Sequence, residues 1–583
     1  MRSTSAEPRQ LSWLHIFPVI FVAIFLLHAP LLRLPFFWDE AGFYVPAAFD
    51  LAHYHTVIPK TTLDTGHPPL PAAYLALWFT LSGWKPAVGR IAQLLLAAFA
   101  LTNVFLLARR LAGTGVAVAS TFATALYPIF FVQSSLAHAD LAAAAFTLWG
   151  IRASAEKQIW RSQAAFSLAV LSKETAILAP FAIAIWELLG LGGKSGRRRL
   201  LSAVPFLVPL AFLLAWLGYH HSQTGRFFGD PGFYQYNVVQ AITPIRFLLA
   251  LGLRFWHLFG AMNMLALTAA TGAAMMFPPV VDSTGERRRI PVPIQLQFAL
   301  IMLAYIVVLS LLGGALLTRY LLPVYPLVII IGMSTLHRRI VSWEWPAAVM
   351  VVFFVFALAF DPPYRIAPED NLTYRDFIEL HAAAAHFLEQ HERGKTVLTA
   401  WPATDELTKP YLGYVQQPFA TIPVRDFTAT EMLRARGMRS RYQVAYLFST
   451  KYEGSTWFHS ELWDRLNQRY FDYHRDLSPE ACAQVLGGKV VYLARKKAEW
   501  VEIIEMEQTG SFAMSRHRVI VPGNPVREVA PQQEKRRGPQ PRLLAAHPEN
   551  KQIRKKSESS SRAWAGYKRE NTRPSQRLPQ PGS

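Results

Sequence analysis

Long apolar runs, many of them closed by clusters of basic residues, constrain this chain more than any other feature. The first, Trp13–Leu32, follows Arg2 and Arg9; later runs end at Arg109-Arg110, at Arg197-Arg198-Arg199, at Arg287-Arg288-Arg289 and at Arg338-Arg339. A bilayer core about 30 Å thick takes about 20 apolar residues per helix. Lipid also leaves helices and closed barrels as the spanning structures, because every backbone polar group must be paired internally. With 583 residues, 52% hydrophobic and 17% charged, the chain is too apolar for one soluble domain. It reads as a polytopic α-helical membrane protein.

The basic clusters orient it, since Lys and Arg collect in inner loops. Starting inside, the pattern predicts about 11 transmembrane helices. They are Trp13–Leu32, Ile91–Ala108, Gly115–Val132, Ala139–Ala153, two short helices within Ser162–Leu189, Leu200–Gly218, one within Arg246–Phe277, Ile294–Gly313, Leu321–Leu336 and Pro346–Phe360. The break between the two short helices falls at Leu171-Ser172-Lys173-Glu174-Thr175. The first run is long and no clear small-x-small site follows it, so it reads as an uncleaved anchor. Residues 33–89 form a long first outer loop. Its own apolar run, Pro69–Ser82, is short for a span and is placed as an amphipathic or juxtamembrane helix at the interface.

The membrane domain thus covers residues 1–361. Over 362–525 the composition becomes globular. Thr396–Ala400, Gln443–Phe448 and Lys489–Leu493 read as strands, and Asp376–Gln390 and Ser460–Tyr470 as helices. That alternation predicts a small C-terminal α/β domain on the outer face. The last stretch, 526–583, is rich in Pro, Gln, Arg, Lys and Ser and carries +9 of the formal +20. It cannot bury enough surface to fold and is expected to be a disordered basic tail that can meet anionic headgroups. No aromatic-interleaved basic fold accompanies it, which argues against nucleic acid. The one cysteine, Cys482, excludes an intramolecular disulfide and a Cys-rich metal site.

On this topology the outer face gathers Asp39, Glu40, Asp64, His67, Asp140, Lys173, Glu174, Arg226 and Arg319. Ionisable groups at membrane depth are costly and mark functional sites by default. Each also has a bland reading. Asp39 and Glu40 can be solvated residues capping a helix, and Asp140 a carboxylate favoured by a helix N-terminus. Lys173 with Glu174 can be a self-satisfying pair or a snorkelling lysine. Arg319-Tyr320, before Pro323 and Pro326, can be an interfacial anchor, and His67 before two prolines part of a rigid turn. Taken together they say more. Carboxylates can deprotonate or position a hydroxyl nucleophile, and Lys and Arg can hold a phosphate whose charge grows as it leaves. A site at the membrane surface suits a substrate with a lipid tail and a polar head.

Trp38-Asp39-Glu40-Ala41, Gly66-His67-Pro68-Pro69-Leu70, Ala108-Arg109-Arg110-Leu111, Asp140, Leu171-Ser172-Lys173-Glu174 and Arg319-Tyr320-Leu321-Leu322-Pro323 together carry a family resemblance. Over about residues 10–360 the chain resembles the GT-C membrane glycosyltransferases. It looks closest to the bacterial branch related to protein O-mannosyltransferases and aminoarabinose (lipid A) transferases. The acidic first loop is the most specific piece. The resemblance implies inverting transfer of a sugar from a polyprenyl-phosphate donor to an acceptor hydroxyl, on the periplasmic side of a bacterial inner membrane. Asp39 would be the base or acceptor-positioning residue, with Glu40 beside it and Asp140 as a second acid. Lys173, Arg319, Tyr320 and His67 would be candidates for the donor phosphate. Position 67 departs from the aminoarabinose transferases, which have Lys where this chain has His; a neutral imidazole binds phosphate poorly. Asp39, Glu40, His67 and Asp140 could ligate a divalent metal, but no spacing demands one. The acceptor is left open among lipid, glycan and protein. A transporter or flippase of a lipid-linked envelope precursor is the alternative, although no internal repeat supports it. A third reading is a non-catalytic envelope-assembly protein, which would tolerate neutralisation of Asp39.

Overall fold

The structure is a computed structural model. It describes residues 13–506 apart from 192, 194, 238–242, 284, 313, 455–460 and 472. The basic tail expected over 526–583 lies outside the described residues.

The described residues of 13–359 are mainly helical, with a two-stranded hairpin at Val281–Asp282 and Gly285–Glu286. The axis of this region is Pro86–Ala112, a helix of 27 residues, about 40 Å long at 1.5 Å per residue. It is rich in Ala and Leu and buries most of its circumference. Trp13–His28, Thr114–Leu126 and Ala139–Ala155 pack around it, and the small side chains let their backbones approach closely. Trp13–His28 instead turns Leu14, Val19 and Leu26 outward while Ile16 and Ile24 join the core. An apolar outer surface of this kind fits a helix whose solvent is lipid.

Among the described residues, four helices are long and apolar enough to cross a membrane: Trp13–Leu31, Pro86–Ala112, Arg197–Thr224 and Val292–Leu311. A bent pair, Pro244–Phe259 with Met264–Ala274, makes a fifth if it counts as one span. This pair corrects the single helix expected within 246–277, because the chain turns by 77° at the break. The expected helix 115–132 is likewise divided, at Tyr127, where Pro128 opens a new helix, Pro128–Gln133. Leu70–Ser82 is helical but not amphipathic. It buries Leu75, Ala76 and Phe79, exposes Leu77 and Leu81, and is therefore apolar all round. The predicted break at 171–175 is present: Ile159–Ser172 ends at Lys173, which is extended, before the 3-10 turn Glu174–Ile177 and the helix Leu178–Leu188.

After Glu344–Ala359 the chain enters an α/β domain. Its five-stranded sheet runs Thr421–Val424, Val397–Ala400, Val444–Phe448, Glu499–Met506, Gly488–Lys496. The first three strands are parallel and the last two form an antiparallel hairpin. Val397–Ala400 and Val444–Phe448 are buried along their whole length, as expected for strands covered on both faces. The helix Thr373–His391 lies against the hairpin strands.

This domain shares a core with the first long loop. Phe36 donates its amide to Leu412 O at 3.1 Å and accepts from the Tyr414 hydroxyl at 3.0 Å. Phe37 meets Phe377 edge-on at 5.3 Å, and Phe43 stacks on Trp401 at 5.2 Å. Gly42 makes this approach possible, since a Cβ there would fall 2.3 Å from Trp401 Nε1.

Candidate active site

Two buried arginines fix the geometry of the face carrying the first loop. The first, Arg90, opens the axial helix. It holds Glu40 through two contacts, 3.2 Å to Oε1 and 3.1 Å to Oε2, and also donates to the carbonyls of Pro35 at 2.7 Å and Ser135 at 2.8 Å. Glu40 further accepts from the amides of Phe37 at 2.7 Å and Ala137 at 2.5 Å. Fully buried and fully bonded, Glu40 joins the first loop to the axial helix and to the segment before Asp140. The structure therefore places Glu40 apart from the other carboxylates with which the sequence grouped it.

The second is Arg319, in the 3-10 turn Thr318–Leu321 between Val292–Leu311 and Tyr325–Arg339. Its side chain is 3% exposed. Nη2 donates to Asp39, Nη1 donates to Glu369 Oε2 at 2.6 Å, and Nε faces Asp140 Oδ2 at 3.5 Å. Nη1 also lies 3.1 Å from His138 Nδ1. Asp140 accepts in turn from Lys173 Nζ at 2.7 Å. Tyr320 supplies an aromatic face shared by cations: Lys173 Nζ lies 4.1 Å from the ring centroid and Arg254 Cζ 5.6 Å. The cluster thus sets three carboxylates, Asp39, Asp140 and Glu369, against three cations, Arg319, Lys173 and Arg254.

Local structure explains each placement. A π-helical turn over Glu40–Tyr44 leads into Val45–Tyr54 and sends the two neighbouring carboxylates in different directions. Asp140 opens Ala139–Ala155, where a carboxylate suits the helix N-terminus. Lys173 occupies the extended break between two helices. Asp39, Asp140, Lys173 and Arg319 therefore come from ends or interruptions of regular helix, whereas Arg254 lies within the helix Pro244–Phe259.

Several polar atoms here make no hydrogen bond among the described residues: Nε and Nη2 of Arg254, Oε1 of Glu369, and Nε of Arg319 and Oδ2 of Asp140, which face each other at 3.5 Å. Arg254 is fully buried and spends only Nη1, on the carbonyl of Leu317 at 2.6 Å. Two spare guanidinium donors fit an oxyanion.

Arg254 and Glu369 were missed by the sequence reading. Arg254 carried a signal, an arginine in the interior of the apolar stretch 246–277, where charge is expensive. Glu369 carried little, because Pro368-Glu369-Asp370 looks like an ordinary polar linker. Burial pushes the Glu369 carboxyl up to about 8; Arg319 pulls it down, while Asp39, Asp370 and Asp140 push it further up. Burial also raises Asp370 to about 6.

The remaining predicted residues fall around this cluster. His67 binds Glu174 through Nδ1 at 2.9 Å and stacks near Tyr44, with centroids 6.3 Å apart. With Phe43, Tyr44, Pro68, Ala139 and Trp216 it lines a cleft beside the cluster. Asp64 pairs with His220 at 2.9 Å and ties the first loop to the helix Val208–Thr224. Arg226 is exposed in the following loop. Of the expected metal ligands, Asp39 and Asp140 already share the guanidinium of Arg319. Among the described residues, the group of ligating side chains close enough for one ion is Asp426, His474 and Asp476, in the α/β domain.

Residues 66–219 match the family model described as dolichyl-phosphate-mannose-protein mannosyltransferase. The fold is similar to ArnT from Cupriavidus metallidurans in the apo state, with TM-score 0.50, 16% identity, and coverage of 84% of this chain and 98% of that one. The chain shares the fold of ArnT and, over residues 66–219, is similar to the mannosyltransferase family. ArnT from the same organism bound to undecaprenyl phosphate is similar at 17% identity and TM-score 0.46, with the same coverage of 84% and 98%. No curated protein matches the sequence at a significant level. The family match holds His67, Asp140, Lys173 and Glu174, while Asp39, Arg254, Arg319 and Glu369 lie beyond it.

Proposed function

We propose that the protein transfers a sugar from a polyprenyl-phosphate donor to an acceptor hydroxyl, with inversion, on the periplasmic face of a bacterial inner membrane. The observation that carries this reading is the pairing of Asp39 with Arg319 in a cluster that also holds the unspent donors of Arg254. A sugar linked to a polyprenyl phosphate is a phosphodiester with one negative charge. Its leaving group is a phosphomonoester, which gains a second charge as the C1–O bond breaks. Arg254, Lys173 and Arg319 supply preorganised positive charge where that charge develops, in a site shielded from water. Tyr320 keeps the cations apart.

Asp39 is neutralised by Arg319 while the site is empty. A donor phosphate competes for that guanidinium and frees the carboxylate. Asp39 then takes the proton of the acceptor hydroxyl as its oxygen attacks C1 from the side opposite the phosphate. Asp140 holds Lys173 in place. With Glu369 protonated, three cations face two carboxylates, and the single excess charge matches the bound phosphodiester. Glu40 supports the loop, and His67 borders the cleft that would receive sugar or acceptor. The acceptor is to be sought among lipid, glycan and protein hydroxyls.

The test supplies radiolabelled polyprenyl-phosphate sugars and a crude envelope extract to the purified protein in liposomes. Label entering a new product, with release of polyprenyl phosphate, is expected. Movement of intact donor between leaflets without any product would replace this reading with that of a flippase.

A further inference from the structure

The opposite end of the membrane region carries a second polar cavity that the transfer reaction does not use. It lies where Met264–Ala274, Val292–Leu311 and Tyr325–Arg339 end or begin, with Arg289, Gln295, Ser334, Thr335, Arg338 and Arg339 on its walls. Tyr325–Arg339 starts just after Arg319, so its far end places this cavity on the face away from the site. The arginines are unequally employed. Arg338 donates to Arg287 O and to Glu286 Oε2 at 2.6 Å. Arg339 donates to Phe277 O, and its Nε is buried without a partner among the described residues. Arg289 is exposed and makes no hydrogen bond or ion pair to any described residue. Arg287 and Arg288 add to the positive field. Beside the cavity Met275, Met276 and Phe277 are exposed, Met276 by 86%.

We propose that this cavity binds the phosphate headgroup of an anionic glycerophospholipid. Three guanidinium groups and the Ser334 hydroxyl form a cradle for a phosphodiester, for which arginine has matching geometry; the Thr335 hydroxyl is spent on Ile331 O at 2.8 Å. Exposed Met276 and Phe277 offer apolar surface to acyl chains, which a soluble phosphate would not use. Basic pockets between membrane helices at the headgroup level hold anionic lipids in this manner. A bound lipid would clamp the far ends of helices whose near ends border Arg319.

Native mass spectrometry and thermal melting of the full chain in detergent test the proposal. Dioleoyl phosphatidylglycerol, dioleoyl phosphatidylcholine and inorganic phosphate are the probes. Phosphatidylglycerol should be retained and should raise Tm; phosphatidylcholine should do neither. Arg289→Gln disturbs no internal bond and should weaken retention about fivefold, and Arg289→Gln with Arg339→Gln about twentyfold or more, from roughly 1 kcal/mol per basic group near the surface. Equal retention of both lipids, or unchanged retention in the double variant, would overturn the site. Stabilisation by millimolar inorganic phosphate equal to that by phosphatidylglycerol, lost in the double variant, would overturn the lipid as occupant.

Discussion

Arg90 and Arg319 are both buried guanidinium groups bound to carboxylates on the same face, yet their surroundings differ in kind. Arg90 meets one carboxylate and a ring of backbone carbonyls, and Glu40 adds two backbone amides. Nearly every bond in that centre goes to the fold itself. Arg319 meets three carboxylates from three distant segments, and the centre leaves acceptors on Asp140 and Glu369 and donors on Arg254 unspent. A saturated centre fixes backbone. An unsaturated centre with donors to spare stores the capacity to bind something else, which is why the proposed transfer chemistry is assigned to Arg319 and its neighbours and not to Arg90.

This difference can be broken from either side. The largest effect on stability is expected from Arg90→Ala, which strands Glu40 as an uncompensated buried charge at a cost of about 3–5 kcal/mol. Much reduced yield and a lower melting temperature in detergent would show it. Arg254→Gln removes a charged partner for the phosphate, so kcat/KM should fall about 10- to 100-fold, on the scale of about 1.5–3 kcal/mol for hydrogen bonds to charged groups. Melting should change little, because the side chain makes a single hydrogen bond. Gly42→Ala drives a methyl group into Trp401 and should cost about 1–3 kcal/mol by overpacking, visible as a changed tryptophan emission and faster proteolysis of the α/β domain.

The smallest effect concerns pH. Burial raises the Glu369 carboxyl to about 8 from 4.5, so the folded state holds a proton that the unfolded chain has lost. The associated stability is fully present below about pH 4.5 and is lost as pH rises through about 8. Glu369→Gln should flatten that decline in a series of melts from pH 5 to 9. It should also remove a rise in donor KM above about pH 8, where an ionised Glu369 competes with phosphate for Arg319.

How much of this could be read from the chain follows from the same contrast. Asp39, Asp140, Lys173 and Arg319 were legible because each interrupts or ends an apolar run, where charge stands out. Arg254 was equally legible in principle, since it lies within such a run. Glu369 was hidden by a polar linker, and only the fold brings it to Arg319. Asp39 and Glu40 were inseparable in sequence. Their different partners depend on a π-helical turn and on Arg90, 50 positions away. In the fold, helices were legible from runs of apolar residues, but the 77° bend after Phe259 was not, because the run continues across it. The strand Thr421–Val424 escaped through its shortness and Pro423. Glu499–Met506 escaped because Glu499 and Glu502, both buried in the structure, read as solvent-facing acids.

The most direct test compares the two neighbouring carboxylates in one preparation. Asp39→Asn and Glu40→Gln are purified beside wild type, and each is assayed for transfer of labelled sugar and for melting temperature. The account predicts that Asp39→Asn melts like wild type but transfers about 10²–10⁴-fold more slowly, the usual contribution of a general base. Glu40→Gln should melt lower and lose transfer only in proportion to lost folded protein. A folded Asp39→Asn enzyme with wild-type transfer, or a stable Glu40→Gln enzyme with none, would contradict it.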